Sequence, residues 1–165
     1  MPPGYAIGPL DDIAAVLALN AAHAAETSHL DEAGLRALID QSVLAAAVTG
    51  PEGLAAFLLA LDQAAAYASP NFRWFQARYP RFVYVDRIVT APAQRGRGLA
   101  RALYEALFAQ AQASGHDRVA CEVNRRPPNP ASDAFHAALG FTEVGSAEIL
   151  GGAKTVRYLL RETGR

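Results

Sequence analysis

A change of period between residues 82 and 107 constrains this chain more than any other feature in it. Phe82 to Thr90 places apolar, β-branched and aromatic residues at period-two positions, which predicts a strand ending near Thr90. Pro92 stops the ladder, because proline has no N–H to donate. Arg95-Gly96-Arg97-Gly98 follows, a short loop of glycine and cation. From Leu99 onward Leu99, Ala102, Leu103, Ala106 and Leu107 fall at i, i+3, i+4, i+7 and i+8, the core stripe of an amphipathic helix. Strand, glycine-rich turn and helix follow one another without a gap.

That order suits an anion. The first amides of a helix have no intrahelical partner, and the dipole makes that end positive. Gly96 and Gly98 let the backbone approach a ligand closely and adopt positive φ, and Arg95 and Arg97 add charge that pairs with phosphate. The alternative is a plain strand-to-helix connection that carries two glycines. Two other phosphate loops do not fit. A P-loop needs Lys followed by Ser or Thr after its second glycine, and in the dinucleotide fingerprint the third glycine would fall at Arg101, too bulky for close helix–strand packing.

R-G-R-G-L-A, Arg95 to Ala100, resembles the R/Q-x-x-G-x-G/A signature of the GNAT acetyltransferase superfamily, and Asp86 to Pro92 resembles that family's fourth strand with its proline-marked exit. The resemblance implies that the loop, including Leu99 and Ala100, holds the pyrophosphate of acetyl-CoA. It also implies that backbone around Ile88, Val89 and Thr90 offers an amide to the thioester carbonyl.

The remaining sequence is consistent with one α/β domain over residues 1–165. At 165 residues the chain can build a substantial core, and 52% apolar with 19% charged residues describes a globular protein. A net charge of -1 gives no broad basic field for nucleic acid or an anionic membrane. Arg95, Arg97 and Arg101 form one local patch, a poor basis for nucleic-acid binding. One cysteine, Cys121, excludes an internal disulfide and a cysteine metal cluster, and its strand pattern predicts a buried small hydrophobe. No metal is expected. No apolar run reaches membrane-spanning length and no signal sequence is visible, so a cytoplasmic location is expected.

Tyr5 to Leu10 reads as a strand. Asp11 or Asp12 caps a helix with Ile13, Val16, Leu17 and Asn20 on successive turns, and Asp31 and Glu32 open a second helix after a polar break. Ser42–Thr49 and Leu54–Leu61 form a hairpin about Gly50-Pro51-Glu52-Gly53, its second strand apolar enough to be buried on both faces. Residues 64–81 are irregular and carry five aromatics. After the central helix come a strand at Val119–Asn124, a helix from Asn129 to Leu139, and two strands, Phe141–Ala147 and Lys154–Leu160. The expected order is β-α-α-β-β-β-α-β-α-β-β, a mixed α/β fold with a mostly antiparallel central sheet flanked by helices. This is also the GNAT order.

In the last helix Ala131, Ala134, Phe135, Ala138 and Leu139 cluster on one side, with Asn129, Ser132 and His136 opposite. Spacing alone reads Asn129 as a cap and the other two as solvated. The segment N-P-A-S-D-A-F-H-A-A-L-G-F resembles the GNAT pattern N-x-x-A-x-x-x-Y-x-x-x-G-F. The resemblance implies cofactor contact for Asn129 and Ser132. It places His136 where a tyrosine often protonates the departing thiolate. Histidine there departs from the pattern, and with a reference pKa near 6.5 it donates only when protonated or in a suitable tautomer. The stretch from Cys121 to His136, with G-F-T-E-V-G, resembles a group of predicted bacterial GNAT proteins, which implies no defined acceptor.

Period two puts Tyr84, Asp86 and Ile88 on one strand face. Asp86 stands where many relatives carry a glutamate base, and the competing expectation is a salt bridge to Arg87 or Arg118. Glu26 and Tyr84 are candidate acceptor contacts. Trp74 or Phe75 would wall the acceptor side if residues 64–81 form a lid, or belong to a satellite cluster on the sheet. Two functions follow: direct acetyl transfer from acetyl-CoA to a small-molecule or peptide amine, or a non-catalytic acyl-CoA sensor. Either leaves room for a homodimer.

Overall fold

The computed structural model describes residues 1–164, and for residues 25 and 26 the backbone alone. Among the described residues the strands are β1 (Ala6–Pro9), β2 (Ser42–Gly50), β3 (Gly53–Asp62), β4 (Val83–Thr90), β5 (Arg118–Arg126), β6 (Thr142–Ile149) and β7 (Lys154–Glu162). The helices are α1 (Ile13–Ala22), α2 (Ala24–Thr27), α3 (Glu32–Gln41), α4 (Pro70–Gln76), α5 (Leu99–Ala113) and α6 (Pro130–Ala138). The expected order holds, with two short helices added. α2 occupies the polar break, and α4 lies within residues 64–81, where Ser69 caps it through the Phe72 amide and Pro70 takes the first turn.

The strands form one sheet in the order β1-β2-β3-β4-β5-β7-β6. All neighbours are antiparallel except β4 and β5. β3 lies inside the sheet and is buried on both faces, as its apolar run requires. Its alternate residues divide the core. Ala56, Leu58 and Ala60 face Leu99, Leu103, Tyr104 and Leu107 of α5. Phe57, Leu59 and Leu61 face Val16 of α1, Leu35 and Leu38 of α3, and Phe72 and Phe75 of α4. Helices therefore cover both faces. No helix among the described residues is long and apolar enough to cross a membrane.

Two expectations from periodicity fail, each for a local reason. Leu59 pairs with Arg87 and Ala60 with Val85, so Asp86 is the extra residue of a bulge in β4. The bulge breaks period two: Tyr84 and Ile88, expected on one face, join opposite core layers. In α6 Ala131, Ala134 and Ala138 are exposed, whereas Phe135, His136 and Leu139 turn inward. Alanines gain little by burial, so the large rings set the rotation of the helix. Trp74 stacks on Tyr158 with ring centroids 4.2 Å apart, and Phe75 is fully buried. Phe75 is core and Trp74 packs against the same cluster, which is the satellite-cluster alternative for residues 64–81.

Candidate active site

The bulge at Asp86 creates the site by parting two strands. β4 and β5 pair only at Val83–Val119 and Tyr84–Ala120. Beyond that point β4 remains paired with β3, and β5 with β7. The facing edges of β4 and β5 are left without a strand partner, and their backbone groups open onto the gap. Two cavities meet there, of about 490 and about 820 Å³. Both are lined by Thr27, Ile88, Asn124, Asn129, Ser132 and His136, so they join at the split.

The larger cavity runs to the amino end of α5. Ile88, Val89, Thr90, Arg95, Gly96, Gly98, Leu99, Ala100, Asn129 and Ser132 all line it, and Arg97 does not. Gly96 and Gly98 have φ of 78° and 77°, and a Cβ at either would meet nothing within 4 Å. The backbone conformation, not crowding, is what demands glycine here. Helices α1, α3, α4 and α6 have first-turn amides taken by Asp12, Asp31, Ser69 and Asn129. α5 begins at Gly98 and receives no side-chain cap. Its first amides therefore open towards the cavity, beside Arg101 and with Arg95 3.4 Å from His23. Sequence reasoning placed neither His23 nor Arg101 at this site.

The smaller cavity holds two carboxylates on the facing strands. Asp86 Oδ1 accepts from the Tyr67 hydroxyl at 2.5 Å, and Oδ2 accepts from Arg87 Nε at 2.6 Å. This is the Arg87 ion pair weighed from sequence. Its two side chains are only 4% and 3% exposed. Arg87 also donates to Asn20 Oδ1 and to the Ser28 carbonyl, which ties the bulge to the end of α1 and the loop after α2. Glu122 of β5 accepts from the Tyr84 hydroxyl at 2.7 Å and from Asn71 Nδ2 at 3.2 Å. Asn71 is held in turn by the Tyr158 hydroxyl at 2.9 Å. Desolvation pushes the Glu122 carboxyl up to about 7, and the negative charge of Asp86 adds to the effect. The donors Tyr84 and Asn71 pull it back down. Burial, then the Glu122 charge, raises the Tyr84 phenol, which stays a neutral donor.

His136 is not on a solvated face. It is 6% exposed and lies where the cavities join. Nδ1 is 2.8 Å from the Ser132 carbonyl, which can only accept, so Nδ1 carries the proton. Nε2 then accepts from the Tyr104 hydroxyl at 2.7 Å. Burial lowers the pKa of the ring, against smaller opposing effects of the Ser132 carbonyl and Asp133. His136 is thus a neutral imidazole with both nitrogens occupied.

Of the expected acceptor contacts, Tyr84 lines the smaller cavity and Trp74 lines neither. The side chain of Glu26 lies outside the described residues. Glu122, Tyr67, Asn71 and Tyr104 were missed. Only Glu122 gave a signal, as a lone carboxylate within the otherwise apolar run Val119–Val123. Cys121 is buried as expected, its thiol pushed up by desolvation.

Residues 19–141 match the model of the acetyltransferase (GNAT) family. Among curated protein sequences none matches significantly. Similar solved structures include the ribosomal-protein-S18-alanine N-acetyltransferase from Escherichia coli, at 18% identity and TM-score 0.72, covering 98% of this chain and 95% of that one. A putative acetyltransferase from Salmonella typhimurium with its cofactor acetyl-CoA aligns at 18% identity and TM-score 0.74, covering 98% and 95%. Ard1 from Thermoplasma volcanium aligns at 14% identity and TM-score 0.77, covering 96% and 97%. At these identities the structures establish the fold. The family match spans well over half of the chain and includes the glycine loop, the split strands and α6: the chain belongs to the GNAT family of acetyltransferases.

Proposed function

We propose that the protein moves an acetyl group directly from acetyl-CoA to an amine. The observation that carries this reading is the junction of the two cavities at the β4–β5 split. One cavity ends at uncapped helix amides and arginines, which suit a pyrophosphate. The other contains two carboxylates and several phenols, which suit a cationic amine. A thioester threaded from the first towards the second meets the amine beside Ile88, Asn129, Ser132 and His136. Proximity there replaces a bimolecular encounter.

In this reading the free backbone edge of β4 around Ile88 to Thr90 donates to the thioester carbonyl as it becomes an oxyanion. Asn129 and Ser132 border the passage where the acyl arm would run. His136 holds Tyr104 at the junction, so a proton reaching the thiolate from this side comes from the Tyr104–His136 pair. The acceptor is a small molecule or the end of a peptide.

The experiment is twofold. Acetyl-CoA should raise the melting temperature by mass action, and Arg95→Ala with Arg101→Ala should remove most of that shift. Coenzyme A release should then appear with some member of a panel of free amino acids, spermidine, an aminoglycoside and short peptides. A cofactor shift without release from any amine would favour the acyl-CoA sensor, and no shift at all would refute both readings.

A further inference from the structure

We propose that Lys154 is acetylated by the protein's own site, the acetyl group passing from acetyl-CoA to the side-chain amine of the same chain. This rests on the acetyl-transfer reading above.

Of the 15 Lys and Arg residues in the sequence, Lys154 is the sole lysine. A guanidinium stays charged and is no nucleophile, whereas an ammonium that loses one proton becomes one. The other primary amine is the amino terminus at Met1, and Met1 lines neither cavity. Lys154 lines the smaller cavity, the one that suits an acceptor amine.

The turn between β6 and β7 sets Lys154 at the rim of that cavity. Leu150, Gly151 and Gly152 have φ of 54°, 64° and 89°, so the chain reverses through three left-handed residues. Leucine rarely takes that conformation. Here it leaves Leu150 73% exposed at the edge of the cavity, beside Ile149, which pairs with Lys154.

From the turn, β7 runs inward with its register against β6 unbroken from Lys154 to Val156. Period two puts Lys154, Val156 and Tyr158 on one face. Val156 and Tyr158 are buried in the core on that side, while Arg157 turns the other way to Glu143 and Asp133. Val156 lines the smaller cavity and pairs with Asn124, which lines both cavities and marks the level at which they join. Lys154 stands two residues from Val156, about 7 Å along the strand. The flexible four-carbon stem of lysine covers a similar distance. The amine is therefore tethered within one side-chain length of the level where the thioester would lie, and tethering replaces a bimolecular encounter.

In the step, Lys154 Nζ loses one proton to solvent and its lone pair attacks the thioester carbon. The C–N bond forms, and the carbonyl pair moves onto oxygen. Return of that pair breaks the C–S bond. A second nitrogen proton ends on sulfur, so coenzyme A leaves as the thiol. The product is an uncharged amide that no longer acts as a nucleophile. The reaction stops after one acetyl group per chain and leaves the rim of the acceptor cavity without its lysine charge.

The test incubates the full chain with acetyl-CoA carrying an isotopically labelled acetyl group and no added amine. Intact mass counts the labelled groups, and peptide mapping locates them. We expect one label, on Lys154, at a rate per chain that does not change when the protein is diluted. Lys154→Arg keeps the charge and should take up none. Arg95→Ala with Arg101→Ala, checked by its melting curve for folding, should label far more slowly than the wild type. Loss of the wild-type acetyl-CoA melting shift would break the acetyl-transfer reading itself. An unlabelled Lys154 in a protein that binds acetyl-CoA overturns the proposal, and coenzyme A release with a panel amine tells whether the acetyl-transfer reading survives it. The proposal is also overturned if the rate per chain rises in proportion to protein concentration, which is transfer between chains. Labelling of the folded double-arginine variant as fast as the wild type overturns it too, because acetyl-CoA would then be reacting from solution.

Discussion

Replacing Arg87 by Met should be strongly destabilising, and the structure says where the cost falls. Arg87 Nε lies 2.6 Å from Asp86, and both side chains are almost wholly buried. Its contacts with α1 are redundant. Asn20 Oδ1 keeps the Thr27 hydroxyl at 3.1 Å, and the Ser28 carbonyl keeps Asn20 Nδ2 at 2.9 Å. Asp86, however, is left as a buried anion with only Tyr67 as donor. Removing one partner of a buried pair costs about 3–5 kcal/mol. In a domain of this size each kcal/mol moves Tm by about 2–4 °C, so a fall of roughly 6–20 °C is expected. Asp86→Asn combined with Arg87→Met removes the stranded charge, and Tyr67 can still donate to the amide. That double variant should be more stable than Arg87→Met by about 2 kcal/mol. Urea unfolding at pH 7.5 with unchanged slope measures both. A cost below about 1 kcal/mol for Arg87→Met, or a double variant no better than the single, would refute the argument that the penalty is an uncompensated charge.

Glu122→Gln should stabilise the fold at pH 8. The native carboxyl is raised from 4.5 to about 7, so the stability linked to its protonation is complete below 4.5 and lost as pH rises through 7. The gain at pH 8 is at most about 3 kcal/mol and should vanish towards pH 4 in melting curves, since Gln can donate to Tyr84 and accept from Asn71. His136→Ala should cost about 2–4 kcal/mol by urea unfolding, because it leaves a cavity and strands the Tyr104 hydroxyl; a cost within 0.5 kcal/mol would return His136 to the surface. Gly98→Ala should lower apo stability by about 1–2 kcal/mol, since φ is 77° there, and should weaken the acetyl-CoA melting shift beyond that.

Local chemistry was legible in the sequence. Capping residues, the change from period two to period 3.6, and the paired glycines fix α1, α3, α5, the β2–β3 hairpin and the turn into α5, because each depends on residues a few positions apart. Part of the larger cavity's lining, Ile88–Thr90 and Arg95–Ala100 without Arg97, lies in the same short segment. What the sequence could not display is anything that depends on which residues of distant elements a side chain meets or misses. The bulge at Asp86 is a register event between β3 and β4, and it rotates every later side chain of β4. The burial of His136 depends on Tyr104 from another helix, thirty-two residues away in the chain. Trp74 packs against the core because Tyr158 on β7 presents a face to stack on. Glu122 becomes distinctive only when the split of β4 from β5 opens a cavity beside it and Tyr84, Asn71 and Tyr158 converge from three elements. Periodicity and motif specify which residues are helical, extended or turned; only the tertiary fold decides which polar groups share a low-dielectric space, and there proximity and desolvation set their chemistry.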